Sequence, residues 1–250
     1  MSESLKKAVV EWLGDRVDAV GFAPAARFEE APEDHRPEKV LKGAKTVIAL
    51  GKTVPRALLR SSHYELHNLH RSYHTVYAFL NDLSLNLANW IEAQGDYYAV
   101  PVPTFAPMAY HGMEPWGLLS LKHSAVKAGL GAFGRNGLMH HPKYGTMLRL
   151  GAVVTTAELP GDPVIEDEAC PPECTACLKA CPHQALKEDG PFDKIKCMLS
   201  TISHAIYNIA LKDQQGLKNI ETVINTAGYN YWIGCNTCLK VCPNNKVVSS

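Results

Sequence analysis

The chain has 250 residues, 46% of them hydrophobic, and its 25 basic residues balance its 25 acidic ones. This length suffices for one sizeable core, or for a core with a small appended module. The balanced charge gives no sign of a polyanionic partner, and no apolar run approaches the roughly 18 residues of a membrane-spanning helix. The N-terminal stretch MSESLKKAVVEWLGDRV has the pattern of an amphipathic helix, not of a secretion signal. We therefore expect a cytoplasmic protein that does not contact a membrane.

Residues 1–159 contain no cysteine and predict a mixed α/β domain. The β-branched run KTVIALGKTV predicts a buried strand. Apolar residues then recur at helical spacing, which predicts a long helix from Leu66 to Ala93 that Gly95 ends. YYAVPVPTF predicts a strand and a loop, LLSLKHSAVKAG a helix, and TMLRLGAVVTT a pair of strands after a glycine-rich turn. The Pro- and acid-rich ELPGDPVIEDE predicts a linker into a second domain, residues 160–250.

Four histidines of the predicted long helix, His63, His67, His70 and His74, fall on one side of it. They flank the apolar stripe, which favours an ordinary polar helix face. Histidines four residues apart can also bind a metal ion, and imidazole titrates near neutral pH. The alternative is therefore a surface that faces a cofactor or relays protons.

The eight cysteines of the chain all lie in its last third. Residues Cys170 to Cys181 have the spacing C-x3-C-x2-C-x3-C-P, residues Cys235 to Cys242 the spacing C-x2-C-x3-C-P, and Cys197 stands between the two motifs. In a reducing compartment such spacings favour metal binding over disulfides. Bacterial ferredoxins use similar motifs, ending in Cys-Pro, to hold two [4Fe–4S] clusters, and the fourth cysteine of each motif binds the other cluster.

Eight thiolates match the needs of two [4Fe–4S] clusters. With ferredoxin-like crossing, the predicted ligands are Cys170, Cys174, Cys177 and Cys242 for one cluster, and Cys181, Cys197, Cys235 and Cys238 for the other. Zinc is the alternative, but structural zinc sites favour two C-x2-C pairs and do not need the prolines. The first gap holds three residues where ferredoxins have two, so Cys170 is the least regular ligand. Trp232, beside the second motif, is expected to shield a cluster from water.

Gly129, Gly131 and Gly134 form a G-x-G-x-x-G pattern directly before Arg135 and Asn136. A dinucleotide-binding fold needs a strand just before such glycines, whereas the preceding LLSLKHSAVKA has a helical pattern. Two other interpretations remain. The glycines form a tight turn in which the backbone approaches another group closely, or they border a large flat or anionic cofactor.

Four segments follow one another in the order AGLGAFGRNGLMHHPKYGTMLRLGAVVTT, CTACLKACPHQAL, KIKCMLSTISH with its lone cysteine, and GCNTCLKVCPNN. Together they resemble epoxyqueuosine reductases and their relatives, the reductive dehalogenases. Upstream, HRPEKVLKGAKTVIAL is similar to a stretch of the same family, so the resemblance runs from about Phe22 to the C-terminus. It implies an α+β chain, in which a nitroreductase-like α/β domain precedes a two-cluster bacterial ferredoxin-like module.

The resemblance also implies cobalamin bound base-off in the first domain. Electrons would pass to it from a low-potential donor such as ferredoxin or flavodoxin, through the two clusters. Carried over by position, the residues near the corrinoid are Gly131, Gly134, Arg135, Asn136, Tyr144 and Gly145. His140 and His141 follow the glycine turn, where they would approach the cobalt or cap a turn.

The chain departs from epoxyqueuosine reductases in ways that bear on its substrate. Thr104, in TFAP, stands where the family places a proton-donating Asp in D-x-x-P, and threonine is not an acid at neutral pH. The sequence ends a few residues after Cys242, without the helical repeats that grip tRNA in the family. No basic surface with interleaved aromatic residues is evident, and the twin-arginine signal of exported dehalogenases is absent.

We therefore expect an oxygen-sensitive iron–sulfur oxidoreductase of anaerobic metabolism that uses a corrinoid to reduce a small molecule, without a nucleic-acid partner. Tyr110, in the loop APMAYHGMEPWG, is the predicted proton donor. An electron-transfer partner with no substrate of its own is the alternative, and reduction of epoxyqueuosine in tRNA is a third hypothesis. The enzyme is preferred because a two-cluster ferredoxin alone would need far fewer residues than this chain has.

Overall fold

The computed structural model describes residues 2–61, 64–104, 108–111, 114–187, 192–194, 196–197, 202–203, 232–233 and 235–245. For residues 108–111, 114–115, 202–203 and 232–233 it describes the backbone alone. The chain forms two compact units. The first comprises Met1–Thr53, Val76–Gly134 and Leu138–Pro171, and the second Val54–Thr75, Arg135–Gly137 and Pro172–Ser250. This division differs from the single boundary predicted near residue 160, because residues 54–75 and 135–137 are grouped with the cysteine-rich part of the chain.

The helices that the structure describes are α1 Ser2–Leu13, α2 Pro37–Val40, α3 Glu65–Glu92, α4 Leu121–Lys127, α5 Ala176–Ala180 and α6 Thr237–Lys240. The strands are β1 Ala19–Pro24, β2 Thr46–Thr53, β3 Ala99–Val102, β4 Met108–His111, β5 Glu114–Gly117, β6 Ala132–Phe133, β7 Met139–His140, β8 Leu148–Thr155, β9 Ile202–Ser203 and β10 Trp232–Ile233. The long helix agrees with its predicted bounds to within one residue. Among these helices, none is long and apolar enough to cross a membrane.

The first unit is built on a four-stranded antiparallel sheet with the strand order β1-β2-β8-β3. Its inner strand β2 is buried on both faces, which explains its nearly continuous apolar sequence. Ile48 and Leu50 join a hydrophobic cluster with α1 and α3, whereas Val47 and Ala49 join a second cluster with α4. The unit is thus a mixed fold of helices packed on both faces of a sheet. Its assignment as nitroreductase-like stays a prediction.

The strand pair predicted from TMLRLGAVVTT is instead one strand, β8, of eight residues. It pairs with β2 on one side and with β3 on the other. Because β8 has a partner on each side, its residues form one long central strand and have no need to fold back on themselves.

The segment predicted as a linker is attached to the first unit at its start. The carboxylate of Asp162 accepts a hydrogen bond from the backbone N–H of Phe22 at 2.9 Å and pairs with the Lys6 ammonium at 2.6 Å. The backbone N–H of Asp162 donates in turn to the carbonyl of Phe22 at 2.8 Å. These bonds hold the beginning of the segment beside β1.

Candidate functional site

The two cysteine motifs form matching structures in the second unit. In CTACLKACP the helix α5 carries Cys177, and in CNTCLKVCP the helix α6 carries Cys238. The two helices contact each other. All eight cysteines of the chain are free thiols, and Cys177 and Cys242 are buried. The unit therefore brings cysteines of both motifs together without forming a disulfide.

The thiol of Cys238 lies among thiols from both motifs. Burial, followed by the proximity of Cys197, Cys235, Cys177 and Cys181, raises the pKa of Cys238 to about 12. A free thiol with this pKa stays protonated at neutral pH, so its ionisation needs a positively charged partner such as iron. Three of these neighbours, Cys197, Cys235 and Cys181, are the cysteines predicted to share a cluster with Cys238.

The thiol of Cys181 has a different environment. Partial burial opposes its ionisation, but the backbone N–H groups of Ala185, His183, Leu186 and Gln184 point at it, and the net effect lowers its pKa. These groups follow the Cys-Pro step, which turns the chain back over the sulfur. Donors aimed at a sulfur stabilise the thiolate and tune the potential of the cluster that it binds.

Ligation of a single ion is a different arrangement from ligation of a cluster. Among the described side chains, no three His, Cys, Asp or Glu residues are placed to hold one metal ion. In a [4Fe–4S] cluster each thiolate binds a different iron. Cys170 belongs to the first unit, whereas the other seven cysteines belong to the second. Its place as a cluster ligand, like the division of the other ligands between the two clusters, stays a prediction.

The glycine turn packs against the buried strand β7. A Cβ atom on Gly131 would overlap the carbonyl oxygen of His140, and one on Gly134 would overlap the His140 ring. His140 is buried, and burial lowers its pKa. The next residue, His141, accepts a hydrogen bond from the backbone N–H of Lys143 at 3.0 Å and so caps a turn. At these two glycines the backbone therefore approaches His140 of the same chain closely.

Replacing Gly131 with alanine is expected to destabilise the protein by about 2–3 kcal/mol, because the His140 carbonyl belongs to the backbone and cannot rotate away. Gly117→Ala is the matched control, since its added methyl group would lie an ordinary 3.4 Å from the carbonyl oxygen of Leu119. Urea unfolding followed by circular dichroism measures both variants. Equal unfolding midpoints for the two would contradict the close approach at Gly131.

The other predicted corrinoid residues are divided between the units. In the second unit, the Arg135 guanidinium donates to the carbonyl oxygen of Cys174 at 2.8 Å, and Asn136 is buried. In the first unit, Tyr144 packs partly buried against the core, and Gly145 has a left-handed backbone with φ of 57°. Arg135 thus holds the loop of the first cysteine motif, which gives it a structural role in addition to the predicted one.

The first unit contains a cavity of about 230 Å³. Its apolar lining comes from Leu121, Leu138, Met139, Leu148 and Leu150. Its polar lining comes from Tyr77, Thr104, Lys122, Thr146 and Arg149. Two cations and three hydroxyl groups beside apolar side chains suit a ligand, or part of one, with a polar or anionic periphery.

Thr104, predicted from the resemblance to stand at the position of the family's Asp, is one of the cavity residues. Its backbone N–H donates to the side-chain carbonyl of Asn81 at 3.0 Å. Its hydroxyl oxygen is buried and, within the described part of the chain, has no hydrogen-bond partner. Arg149 is held by a 2.6 Å hydrogen bond to the carbonyl oxygen of Thr146. The residue predicted to stand in place of an acid therefore lies at a cavity, where it offers a hydroxyl group.

Three residues of the cavity were not predicted from the sequence: Tyr77, Lys122 and Arg149. Arg149 had a visible signal, because it is a cation inside an otherwise apolar strand. Tyr77 lay unremarked on the predicted long helix. The predicted proton donor Tyr110 has its backbone on β4, opposite Pro115, and its side chain lies outside the described part of the structure.

The histidine row is not the polar helix face that its pattern favoured. His70 and His74 are buried, and their ring centroids lie 4.3 Å apart in an edge-to-face arrangement. Burial above all, with the repulsion of neighbouring Arg71, lowers the pKa of each to about 4. Both rings are therefore neutral at pH 7. The prediction was wrong because this turn of α3 belongs to the compact second unit; His63 lies outside the described residues.

Comparison with known proteins identifies the family. Residues 170–245 match the family described as a 4Fe-4S double cluster binding domain. Epoxyqueuosine reductase of Gloeobacter violaceus is 31% identical over 253 residues, which cover 98% of this chain and 70% of that protein. The chain belongs to the epoxyqueuosine reductase family. Epoxyqueuosine reductase of Bacillus anthracis is 27% identical over 269 residues, with 98% of this chain and 65% of the relative covered. The chain thus spans about two thirds of the length of these relatives.

Solved structures share the fold. Epoxyqueuosine reductase from Streptococcus thermophilus matches with a TM-score of 0.64 and 24% identity, over 99% of this chain and 67% of the other. An epoxyqueuosine reductase solved with an epoxyqueuosine-modified tRNA-Tyr stem loop has a TM-score of 0.61 and 23% identity, over 97% and 65%. A catabolic reductive dehalogenase in complex with 3-bromo-4-hydroxybenzoic acid has a TM-score of 0.59 and 14% identity, over 96% and 31%. The predicted superfamily is confirmed.

The comparisons also correct the predicted reaction. The curated relatives are epoxyqueuosine reductases, and one solved member is bound to a modified tRNA stem loop. The prediction of a corrinoid-dependent reductase of a small molecule is therefore wrong, and so is its alternative of an electron carrier without a substrate. The expectation of no nucleic-acid partner is corrected as well, because a solved epoxyqueuosine reductase is bound to a tRNA stem loop. The prediction of an iron–sulfur domain is confirmed by the matched double cluster domain.

Proposed function

We propose that this chain reduces epoxyqueuosine in tRNA and receives the electrons through two [4Fe–4S] clusters. Membership of the epoxyqueuosine reductase family over 98% of the chain is the observation that carries the proposal. The environment of Cys238, with thiols of both motifs around it, supports cluster binding in the second unit. The tRNA stem loop bound by a family member of the same fold supports the substrate class.

Removal of the epoxide oxygen breaks both C–O bonds and leaves a C=C double bond, which takes up two electrons and two protons and releases the oxygen as water. Each [4Fe–4S] cluster transfers one electron at a time, so a low-potential donor of the ferredoxin or flavodoxin class must supply them in succession. In the cavity of the first unit, Lys122 and Arg149 are suited to hold the polar or anionic periphery of a bound molecule. Tyr77 and Lys122 carry exchangeable protons there, whereas Thr104 serves as a hydrogen-bond partner only.

Cobalamin is part of the proposal as the cofactor that, when bound, supplies a strongly reducing cobalt centre. The described residues fit the edge of such a molecule in their chemistry. The cations and hydroxyls of the cavity suit its amide and phosphate groups. Within the first unit, Tyr144 adds a polar group at a position carried over from the family. Gly131 and Gly134 contribute less, because His140 fills the space beside them.

The test is reduction of epoxyqueuosine-containing tRNA by the anaerobically reconstituted chain, with a low-potential reductant and hydroxocobalamin. Mass spectrometry of the digested tRNA is expected to show loss of one oxygen atom from the modified nucleoside. Protein without reconstituted iron and sulfide is the control and should give no product. Absence of product from fully reconstituted protein with cobalamin would overturn the proposed reaction.

Cobalamin binding is tested separately from turnover. Titration with hydroxocobalamin, followed by absorbance and EPR after reduction, is expected to give one cobalamin per chain with a base-off Co(II) signal. Product formation without added or bound cobalamin would remove the cofactor from the proposal and leave the reaction in place. The two measurements therefore distinguish the reaction from its cofactor.

A further inference from the structure

Glu65, in the first turn of α3, contacts the second cysteine motif, 170 and more residues later in the chain. One carboxylate oxygen accepts a hydrogen bond from the side-chain amide of Asn236, and the other pairs with the Lys240 ammonium at 2.5 Å. All three residues belong to the second unit. The Glu65 side chain is 17% exposed and that of Lys240 is 42% exposed. This pair is therefore shielded from water on the glutamate side.

The two partners of Glu65 lie at positions that control the loop geometry of the motif. Asn236 directly follows Cys235, and its carbonyl oxygen accepts from the backbone N–H of Leu239 at 3.0 Å and of Lys240 at 3.1 Å. Asn236 therefore begins α6, the helix that carries Cys238. A shift of Asn236 would move both cysteines at once.

The far end of α6 is fixed in a similar way. The side-chain amide of Asn245 donates to the carbonyl oxygen of Leu239 at 2.9 Å, and Asn245 is buried. The 3₁₀ turn Arg56–Arg60 also contacts α6 within the second unit. The loop is thus held at both ends, and Glu65 provides the charged contact of this arrangement.

The first cysteine motif provides an internal comparison. Thr175 and Lys179 occupy the places that Asn236 and Lys240 occupy in the second motif. Lys179 is exposed, and within the described part of the chain no ion pair includes it. The contacts of Glu65 with Asn236 and Lys240 are therefore a property of the second motif and do not follow from the repeated sequence.

We propose that Glu65 is a positioning residue for the cluster held by Cys235 and Cys238, and that its pairing with Lys240 keeps either charge from shifting the reduction potential of that cluster. Reduction adds one electron to a cluster that is already anionic. A nearby carboxylate disfavours this step and a nearby ammonium favours it. While the two are paired, their effects largely offset each other. The proposal rests on cluster binding and not on the reaction that the chain catalyses.

Substitutions of the pair separate the role of charge from the role of position. Glu65→Gln removes the charge but keeps an oxygen that can accept from Asn236, so one cluster should shift to a higher potential with little change in stability. Glu65→Ala removes both the charge and the acceptor oxygen. This variant should therefore also release iron from that cluster to a chelator roughly tenfold faster than the unsubstituted protein. Lys240→Gln leaves the carboxylate uncompensated and should shift the same cluster to a lower potential. Lys179→Gln is the matched control, expected to resemble the unsubstituted protein.

The measurements are an EPR-monitored redox titration and the rate of iron release to a chelator, both on the reconstituted full-length chain. Shifts of opposite sign for Glu65→Gln and Lys240→Gln, confined to one cluster, support the proposal. Unshifted potentials in both variants, or equal iron release from Glu65→Gln and Glu65→Ala, overturn it. Because neither measurement uses tRNA, these outcomes are independent of the proposed reaction.

Discussion

Replacing Cys238 with serine is expected to lower the iron content of the reconstituted protein from about eight to about four atoms per chain. The Cys238 thiol lies among other thiols, and its pKa of about 12 shows how strongly the surroundings oppose an isolated negative charge. Iron relieves this opposition by supplying the positive charge. A serine hydroxyl ionises less readily than a thiol and is a poor ligand for iron–sulfur clusters, so one cluster should be lost.

The matched control for this substitution is Thr237→Ser, which changes the neighbouring residue and keeps a hydroxyl 3.5 Å from the sulfur of Cys235. It should retain the full iron content. Iron and acid-labile sulfide analysis, together with the EPR spectrum of the dithionite-reduced protein, measures both variants. Full iron content in Cys238→Ser would contradict the assignment of this cysteine as a ligand.

Lowering the pH from 7 to 5 is expected to destabilise the protein through His70 and His74. The folded-state pKa of each is about 4, below the ordinary histidine value of 6.5, because burial opposes the charged form. The unfolded chain therefore takes up protons between these values that the folded chain does not. The stability is fully present above the unfolded pKa and declines as the pH falls toward 4. At pH 5 the loss should be roughly 2 kcal/mol for each histidine, and less if the two rings titrate together.

The expected acid sensitivity is measured by urea unfolding of the wild-type protein and of the double variant His70→Leu/His74→Leu at pH 7, 6 and 5. The variant cannot be protonated at these positions, so its unfolding free energy should fall less between pH 7 and 5. Acid loss of iron from the clusters would affect both proteins and cancels in the difference. Parallel pH profiles would show that these two histidines do not titrate on unfolding.

Local sequence patterns predicted the elements that depend on local interactions. The long helix followed from its apolar spacing, the inner strand β2 from its β-branched run, and the iron–sulfur domain from the cysteine spacings. The prediction that TMLRLGAVVTT forms two strands failed because the partners of β8 are distant in the sequence. The burial of His70 and His74 was missed for the same reason.

The functional prediction failed at a different step. It treated Thr104 and the position of the C-terminus as evidence against tRNA, although the family relationship extends over nearly the whole chain. One absent acid does not decide a substrate when other proton carriers, such as Tyr77 and Lys122, line the same cavity. The contacts of Glu65 could not be read from the sequence at all, because Asn236 and Lys240 are ordinary helix-start and helix-end residues.

The separation of 175 residues between Glu65 and Lys240 has a consequence for biosynthesis. A ribosome makes Glu65 and the first cysteine motif well before it reaches the residues that Glu65 holds. Until the second motif has been made, the first motif lacks the cysteines predicted to share its clusters. Assembly of both clusters must therefore wait until synthesis has passed the second motif.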